Sequence, residues 1–417
     1  MGASWPGVSR RPRAASSTSA GRGGRAATVS RPGDPVPVLA RGRPPRSTVP
    51  AASTDAEGGW PRVARVIATV STVKDTLANV QRFVRGNLAG GVDHMVVFLD
   101  GPDAEVEAWL ASQEHVTHVV ADETWWGKRP ADLNNRQRLN ANIAKALLSV
   151  VPGVDWLFHV DADEICQIDR SVIDAVPAEY DAVRLAPLEA VSRKQWDADP
   201  TWFKRLLDEP DLKLLEVLGV IDKPANGHLF HGHVEGKTAV RPGLDRWLTI
   251  HRTVDEKREE VPHFAAAGLQ VLHYESYSGE DFVRKWSAML AAGPEISLRP
   301  VRERTKQAIQ ALIGKPLTPE LREQYLMRIF EQTTEDDFDT LRELGLLVEA
   351  DPTLGTHTPQ PLDADAREQL AGLLAALAGE PKEAFRVCGP VGPAQEALSR
   401  LGAGDGKKSW WRKNGRS

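Results

Sequence analysis

The sequence predicts an α/β fold with a mostly parallel sheet and helices on both of its faces. Short apolar segments of strand length alternate with longer segments of helical periodicity between residues 62 and 160. Strands that alternate with helices at this spacing form parallel β-α-β units. No apolar run approaches the roughly 20 residues that a membrane-spanning helix requires, so the chain is expected to be soluble.

The predicted elements of this α/β region follow the order β-α-β-α-β-α-β. Each strand is a short apolar run, and each helix carries its apolar residues on one stripe. The expected bounds are a strand at 62–70, a helix at about 75–88, a strand at 95–99, a helix at 103–112, a strand at 116–120, a helix at 132–150 and a strand at 156–160. Asp132 is placed to cap the longest helix, and Gly90 and Gly91 to end the first.

Beyond about residue 295 the chain is predicted to be helical. One further strand is expected at 181–188, and amphipathic spacing predicts helices at 303–313, 320–332, 335–347 and 365–378. The chain is therefore divided into four parts, which are an arm at 1–58, an α/β domain at 59–295, a helical C-terminal segment at 296–378 and a flexible tail at 379–417.

Both ends of the chain are basic. Nine arginines against three acids give residues 1–58 a charge of +6, which leaves −11 for the rest of a chain whose net charge is −5. This arm is rich in Pro, Gly, Ser and Ala without apolar periodicity, which predicts disorder. At 407–417, five basic residues surround Trp410 and Trp411. Such a tail could contact an anionic membrane surface, and a solvated terminus is the alternative.

Net charge and cysteine content argue against two classes of protein. A net charge of −5 over 417 residues gives no general case for nucleic-acid binding. The two cysteines, Cys166 and Cys388, lie far apart and suit a reducing, cytoplasmic compartment rather than a disulfide framework. Cys166 is expected to be a small buried hydrophobe rather than a nucleophile.

The strongest chemical signal is the segment WLFHVDADEIC at 156–166, where three acids follow an apolar strand. In open α/β sheets, ligands bind beyond the carboxyl ends of the strands. Asp161 and Asp163 lie two apart, so an extended backbone places both on one side. Paired carboxylates repel each other unless a cation lies between them, and Mg²⁺ or Mn²⁺ takes oxygen ligands and bridges to phosphates. The alternative is an acidic turn that caps a helix starting near Arg170.

This segment resembles the DxD element of GT-A glycosyltransferases, and it is similar to that of the family 2-like bacterial proteins. The resemblance covers about residues 62–290. It is supported by GKTAVRPG at 236–243 and by HYESYSGEDFVRKW at 273–286, which resemble two later elements of that family. It implies a Rossmann-like GT-A domain over 59–295 and metal-dependent, inverting transfer of a sugar from a nucleotide-sugar donor to an acceptor hydroxyl. Cell-surface polysaccharide or glycoconjugate synthesis is the implied setting.

The same resemblance implies which residues bind the donor. STVKD at 71–75 and FLDGPD at 98–103 lie where the family has turns for the nucleotide, and the helix over 134–146 lies where it has the helix under the diphosphate. The candidate donor ligands are Asp75, Asp100, Arg136, Asn140, Asp161, Glu164 and Lys237. The alternatives are a helix cap for Asp75, a turn former for Asp100, and a solvated helix face for Arg136 and Asn140.

The implied metal ligands are Asp161, Asp163 and one histidine from later in the chain. His273 is favoured because it ends an apolar strand as Asp161 ends its own, so both could open onto one edge of the sheet. His251 also follows an apolar stretch, but the neighbouring Arg252 would repel a cation. The alternative for His273 is a histidine that is hydrogen-bonded within the core.

Three more histidines form a short cluster at His228, His231 and His233. Imidazoles at such spacing suit zinc, but no cysteine or acid completes a ligand set at the usual spacing. Histidines on the surface or in a strand are therefore expected here.

The implied mechanism needs a carboxylate base that deprotonates the acceptor. Glu189, just after the strand expected at 181–188, is the candidate, and a solvated loop acid is the alternative. Two other functions stay open. A non-catalytic relative would bind a carbohydrate or nucleotide-sugar without chemistry. A metal-dependent nucleotidyltransferase would need a glycine-rich loop after the first strand, and STVKD at 71–75 contains no glycine.

Overall fold

The N-terminal half of the chain alternates between strands and helices, as the sequence predicts. The computed structural model describes residues 65–291, 300–389 and 391–400, which belong to one compact unit. The arm at 1–58 and the basic stretch at 407–417 lie outside the described residues, so their expected disorder stays a prediction.

The strands share one sheet, apart from a short two-stranded ribbon. Within the described residues they are β1 (Val66–Val73), β2 (His94–Leu99), β3 (Val116–Val120), β4 (Val154–His159), β5 (Glu164–Ile168), β6 (Ala182–Ala190), β7 (Trp202–Lys204), β8 (Lys237–Val240), β9 (Trp247–Leu248), β10 (Thr253–Val254), β11 (His263–Phe264), β12 (Leu269–His273) and β13 (Leu347–Glu349).

The helices fall into an early group between the strands and a late group near the C-terminus. In the same residues they are α1 (Leu77–Ala89), α2 (Ala104–Ala111), α3 (Glu123–Trp126), α4 (Leu133–Leu148), α5 (Arg170–Asp174), α6 (Glu209–Leu218), α7 (Asn226–Leu229), α8 (Gly279–Ala291), α9 (Pro300–Ile313), α10 (Pro319–Thr333), α11 (Phe338–Glu343), α12 (Ala364–Ala376) and α13 (Val391–Leu398). No helix of the described chain is long and apolar enough to cross a membrane.

The sheet has a parallel half and a mixed half. Its main order is β13-β7-β6-β8-β4-β1-β2-β3. β4, β1, β2 and β3 pair in parallel, whereas β8 pairs antiparallel with both β4 and β6. β12 lies parallel to β6 and antiparallel to β5. The predicted α/β class, with a curled and mostly parallel central sheet between helices, is confirmed.

Alternation along β1 divides the core into two layers. Ala68 and Val70 pack in the layer that contains Ile143 of α4, whereas Ile67 packs in the layer that contains Val84 of α1. Successive side chains of a strand point to opposite faces, so a strand that is apolar throughout must be covered on both sides. Burying each larger apolar side chain contributes about 1.5–3 kcal/mol, which fixes the register of the strands.

The longest helix of the α/β region begins at the predicted cap. The Asp132 carboxylate accepts the backbone N–H groups of Asn134 and Asn135, at 3.3 and 3.0 Å. These bonds satisfy donors that have no partner inside the helix. They set the first turn of α4 at the carboxyl edge of the sheet, where ligands are expected.

The predicted helix at 335–347 is only half right. α11 ends at Glu343, and Gly345 follows with φ of 69°, a conformation that only glycine adopts without strain. The chain then forms β13, which pairs antiparallel with β7. This pairing joins segments far apart in sequence, so the helical periodicity of the local sequence did not reveal it.

The structure also differs from the flexible tail expected from residue 379. Lys382 is buried, and its Nζ donates to the carbonyl oxygens of Trp125, Leu377 and Glu380 at 2.6–2.7 Å. Phe385 is buried in the same layer as α4. Residues 382–385 are therefore held by a satisfied ammonium group and by apolar packing.

Candidate active site

Strand pairing brings five of the predicted site residues together. Asp161 and Asp163 follow β4 with side chains 22% and 20% exposed, and Glu164 begins β5 fully buried. In β12, His273 pairs with Glu164 of β5 on one side and with Glu189 of β6 on the other. The acids and His273 thus meet at the carboxyl ends of β4 and β12, as the sequence predicted for Asp161 and His273.

A lysine accompanies each of the two aspartates. Lys237 Nζ donates to Asp161 Oδ2 at 2.5 Å and lies 3.2 Å from Glu164 Oε2. Lys285 Nζ donates to Asp163 Oδ2 at 2.5 Å. Burial disfavours the ammonium form of Lys237, but Asp161 and Glu164 outweigh it and raise its pKa to about 12. Both lysines are therefore charged at neutral pH, because the pKa of Lys285 is raised in the same way by Asp163.

Three histidine rings lie beside these acids. His233 Nε2 bonds Glu164 Oε1 at 2.7 Å, and the His233 ring lies 4.8 Å from that of His273 and 4.2 Å from that of His251. Nδ1 of His233 and Nδ1 of His273 are buried without a hydrogen-bond partner in the described part of the chain. Buried nitrogens of this kind normally have a partner, so these two have unused hydrogen-bonding capacity.

Electrostatics couple His273 to the acids. Burial disfavours the charged imidazole, but Asp163, whose Oδ2 lies 3.7 Å from His273 Nε2, outweighs it and raises the pKa of His273 to about 9. Burial likewise opposes ionisation of Asp163, whose pKa is nevertheless held well below its ordinary value by Lys285 and His273. The cluster therefore favours positive charge among its carboxylates.

Among the described residues, two sets of ligand atoms could hold a divalent cation. Asp163, His273 and Glu275 place one ligand atom each within 4.8 Å of one another, and so do Glu164, His233 and His273. Mixed carboxylate and imidazole ligands suit Mn²⁺, and the carboxylates also suit Mg²⁺.

Asp161 belongs to neither of these sets. Its Oδ1 accepts from Gln137 Nε2 at 2.8 Å, and its Oδ2 faces Lys237. The predicted metal ligands Asp163 and His273 are thus brought together, whereas Asp161 lies beside them in its own hydrogen-bond network.

The donor candidates on α4 contact the ends of β1 and β2 instead of solvent. Arg136 forms a fork on Asp100, with Nε to Oδ1 at 2.8 Å and Nη2 to Oδ2 at 2.7 Å, and Arg129 adds a contact at 2.8 Å. Burial opposes ionisation of Asp100, yet the two arginines lower its pKa. Asn140 Nδ2 donates to Thr72 Oγ1 at 2.8 Å. The expected alternative, a solvated helix face for Arg136 and Asn140, is wrong.

Asp75 lies at the same edge but does not cap α1. Thr76 is the cap residue, and Asp75 Oδ1 accepts from Asn79 Nδ2 at 2.8 Å. The Arg284 guanidinium lies 2.8 Å from the same carboxylate. Because Lys285 follows Arg284 on α8, one turn of this helix contacts both Asp75 and Asp163.

Glu189, the candidate base, is fully buried and fully bonded. Its Oε1 accepts the backbone N–H of His231 at 2.6 Å and lies 3.0 Å from Lys204 Nζ, while Oε2 accepts the N–H of Gly232 at 2.6 Å. A Cβ at Gly232 would lie 2.2 Å from the His273 ring, so only glycine fits. Burial opposes ionisation of Glu189, but Lys204 lowers its pKa. This geometry favours a role in holding the loop that carries His231 and Gly232.

Four residues of the cluster were missed by sequence reasoning. They are Gln137, His233, Lys285 and Glu275, whose carboxylate lies 3.4 Å from Lys285 Nζ. Lys285 lies within the segment at 273–286 that resembles an element of the family, so this resemblance could have identified it as a site residue. His233 was expected on the surface or in a strand, but it lies in a loop with its side chain only 15% exposed, because the loop folds over Glu164.

Comparisons with known proteins add little to this geometry. No protein-family model matches the chain, and no curated protein matches it. HddC from Yersinia pseudotuberculosis is 10% identical and similar over 53% of this chain and 97% of its own, with a TM-score of 0.28. A putative glucose-1-phosphate thymidylyltransferase from Bacillus anthracis is 10% identical over 56% and 98%, with a TM-score of 0.27. TM-scores this low support no argument about activity, so any functional conclusion depends on the site itself.

Proposed function

We propose that the protein is a metal-dependent glycosyltransferase that moves a sugar from a nucleotide-sugar donor to an acceptor hydroxyl. One observation carries the proposal: the acids that follow β4 meet two buried lysines and a set of metal-ligand atoms at the carboxyl edge of the sheet. A nucleotide-sugar has a diphosphate leaving group, so its binding site must combine positive charge with ligands for a divalent cation.

The metal would be held by Asp163, His273 and Glu275, whose ligand atoms converge. When bound there, Mn²⁺ or Mg²⁺ supplies a Lewis acid for the negative charge that develops on the diphosphate. Lys237 and Lys285 stay protonated at neutral pH and supply further positive charge to the leaving group. Glu164 positions this machinery, since one oxygen bonds His233 and the other faces Lys237.

The nucleotide would lie toward β1 and β2, on the other side of the acids from β8. Asp75 and Asp100 stand at the ends of those strands, and arginines hold both carboxylates in place. Asn140 keeps one buried amide oxygen without a partner in the described residues, although its Nδ2 is bonded. These groups can orient a base or ribose, for which fixed acceptors give specificity.

We do not assign the acceptor base to Glu189. Both of its oxygens are occupied by backbone N–H groups, and its side chain has no exposed surface. A general base must reach the proton that it removes within hydrogen-bonding distance. In this structure Glu189 can do so only if the loop at His231 opens.

The test is donor hydrolysis with purified protein and a panel of UDP-, GDP- and TDP-sugars, with and without Mn²⁺. We expect one donor to release nucleoside diphosphate only with the metal, and the same donor to raise the melting temperature, because a ligand that binds the native state stabilises it. Binding without release would contradict an enzyme. Release of pyrophosphate from a nucleoside triphosphate and a sugar phosphate would instead identify a nucleotidyltransferase.

A further inference from the structure

A pocket of about 550 Å³ lies next to the acid cluster and takes no part in the proposed donor site. Its wall comes from the start of α4, the loop between β9 and β10, the turn after β10, and the segment after residue 385. Four arginines line it, namely Arg138, Arg252, Arg258 and Arg386. Its volume lies within the roughly 300–1,000 Å³ of small-molecule sites, so it could hold more than a single ion.

The charge of this arginine pocket is only partly neutralised. Arg252 Nε lies 2.9 Å from Glu235 and 3.6 Å from Glu260, the two acids of the lining. Within the residues that the structure describes, no carboxylate lies within ion-pair distance of Arg138, Arg258 or Arg386.

Such guanidinium groups recognise oxyanions in particular. A planar guanidinium donates two parallel N–H groups to a phosphate or carboxylate and keeps its charge at any physiological pH. The lining holds four arginines against two acids, so an oxyanion is the ligand group that would balance it.

Two backbone positions beside the pocket are strained. Arg258 has φ of 66° and Cys388 has φ of 55°, a left-handed conformation that costs energy for residues other than glycine. The turn at Arg258 persists because the Asp255 carboxylate accepts the N–H groups of Lys257 and Glu259, at 2.9 and 3.0 Å.

A second contact joins this turn to the C-terminal segment. Cys388 Sγ donates to the Asp255 carbonyl at 3.2 Å, so the segment that carries Arg386 is tied to the turn that carries Arg258. Two strained positions therefore lie beside one pocket, and backbone strain of this kind clusters at ligand-binding sites.

The pocket adjoins the acid cluster through single residues. His251 lines the pocket, and its ring lies 4.2 Å from that of His233 and is tilted by 48° to it. The carbonyl of Ile250, also in the lining, accepts from Lys237 Nζ at 3.3 Å. On α4, Gln137 reaches Asp161 while the next residue, Arg138, faces the pocket. β8, which carries Lys237, lies on the opposite side of β4 from β1 and β2, so the pocket adjoins the strand that lies away from the proposed nucleotide side.

We propose that this arginine pocket binds the phosphate group of a phosphorylated acceptor, which places the rest of that acceptor at the acid cluster. The anion site follows from the arginines themselves, and only its role as an acceptor subsite rests on the proposed glycosyl transfer. The neutral part of the acceptor would extend past His251 toward Asp163.

The test uses inorganic phosphate and glycerol 3-phosphate as probes, titrated by calorimetry into the metal-free full-length protein at low ionic strength. We expect both to bind and neutral glycerol not to bind. Arg138→Gln and Arg386→Gln should each weaken binding about tenfold, since a charge-assisted bond is lost, and the double variant should abolish it. Arg328→Gln, an exposed arginine of α10 outside the pocket, is the matched control and should bind like the parent.

Three results would overturn the proposal. They are no phosphate binding to the parent, an equal loss in Arg328→Gln, or displacement of phosphate by UDP or GDP with Mn²⁺, which would place the anion in the donor site. Thermal unfolding of each variant shows whether it is folded. The titration needs no donor and no turnover, so its outcome is distinguishable from a failure of the proposed transferase activity.

Discussion

Two carboxylate clusters lie at opposite edges of the same sheet and differ in how completely they are satisfied. Asp93, just before β2 at the amino edge, has no exposed surface. Its Oδ2 accepts from the N–H of Ile67 at 2.8 Å and from Arg170 at 2.5 Å. Its Oδ1 bonds His357 at 2.8 Å and the N–H of Gln360 at 2.9 Å. This cluster ties three distant parts of the chain together and leaves nothing for a ligand.

The cluster around Asp163, at the carboxyl edge, is built from similar residue types. Its carboxylate also meets a cation and a histidine, but its side chain stays 20% exposed, and the buried Nδ1 of His273 has no hydrogen-bond partner among the described residues. Burial and opposite charge are therefore common to a structural site and a candidate active site. What separates them is unused bonding capacity at a ligand-accessible edge.

A substitution at Asp163 tests this comparison most directly. We expect Asp163→Asn to lower donor turnover by about 10²–10³-fold, since it removes a proposed metal ligand and the partner of Lys285. The fold should persist, because Glu275 still faces Lys285 at 3.4 Å. Turnover and urea unfolding would be measured on the same preparation. Full activity with unchanged Mn²⁺ dependence would show that the acids are not a metal site.

The matching substitution at the amino edge is Asp93→Asn, which should lower the stability of the fold and leave the activity unchanged. An amide NH₂ would face a guanidinium and backbone N–H groups that all donate, so we expect a loss of about 3 kcal/mol in the free energy of unfolding. Activity per folded molecule should stay near that of the parent. Urea denaturation followed by far-UV circular dichroism measures the loss. A variant as stable as the parent would remove Asp93 from its structural role.

The sequence predicted the parts of this architecture that local signals encode. Apolar runs located the first four strands, and Asp132 was recognised as the cap of α4. The acids after residue 160 were placed at the carboxyl end of β4, because acids do not belong in a buried strand. These features depend on neighbours within a few positions, so one sequence is enough to find them.

The rest depends on pairings between distant segments. His273 lies between Glu164 and Glu189 only because β12 enters between β5 and β6. His233 reaches Glu164 from a loop, and no periodicity marks it. In the sequence Asp93 looks like an ordinary acid in a turn, because its partners lie as far away in the chain as Gln360. No pattern in a single sequence records such contacts.

The amino-edge cluster can also be tested by pH through its neighbour His94. Burial lowers the pKa of His94 to about 4, with smaller contributions from His115 and Arg367. In the unfolded chain the imidazole of His94 takes up a proton near pH 6.5, whereas in the folded protein it does so only near pH 4. The contribution of neutral His94 to the free energy of unfolding is therefore fully present above about pH 6.5 and is lost as the pH falls toward 4. We expect a loss of roughly 2–3 kcal/mol over this window from this group alone.

The measurement is urea unfolding of the parent and of His94→Gln at several pH values across that window. Glutamine can keep the bond that His94 Nε2 makes to Thr117 Oγ1 at 2.9 Å, but it cannot titrate. The variant should therefore lack the part of the loss of stability that begins near pH 6.5 as the pH falls. If the free energy of unfolding depends on pH with the same slope in both proteins, His94 does not titrate in this range.

The smallest expected effect distinguishes two histidines of the candidate active site. His273 contributes to both sets of possible metal-ligand atoms, whereas His251 contributes to neither and instead bonds the Gly236 carbonyl at 3.1 Å. In Mn²⁺ titrations of the UDP- or GDP-loaded protein, we expect His273→Ala to weaken metal binding about tenfold, through loss of one ligand among several. His251→Ala should bind Mn²⁺ like the parent, although both truncations remove a ring that lies against His233. If His273→Ala binds as tightly as the parent, His273 resembles His357 at Asp93 and serves the fold. A loss confined to His251→Ala would instead move the metal toward the arginine pocket.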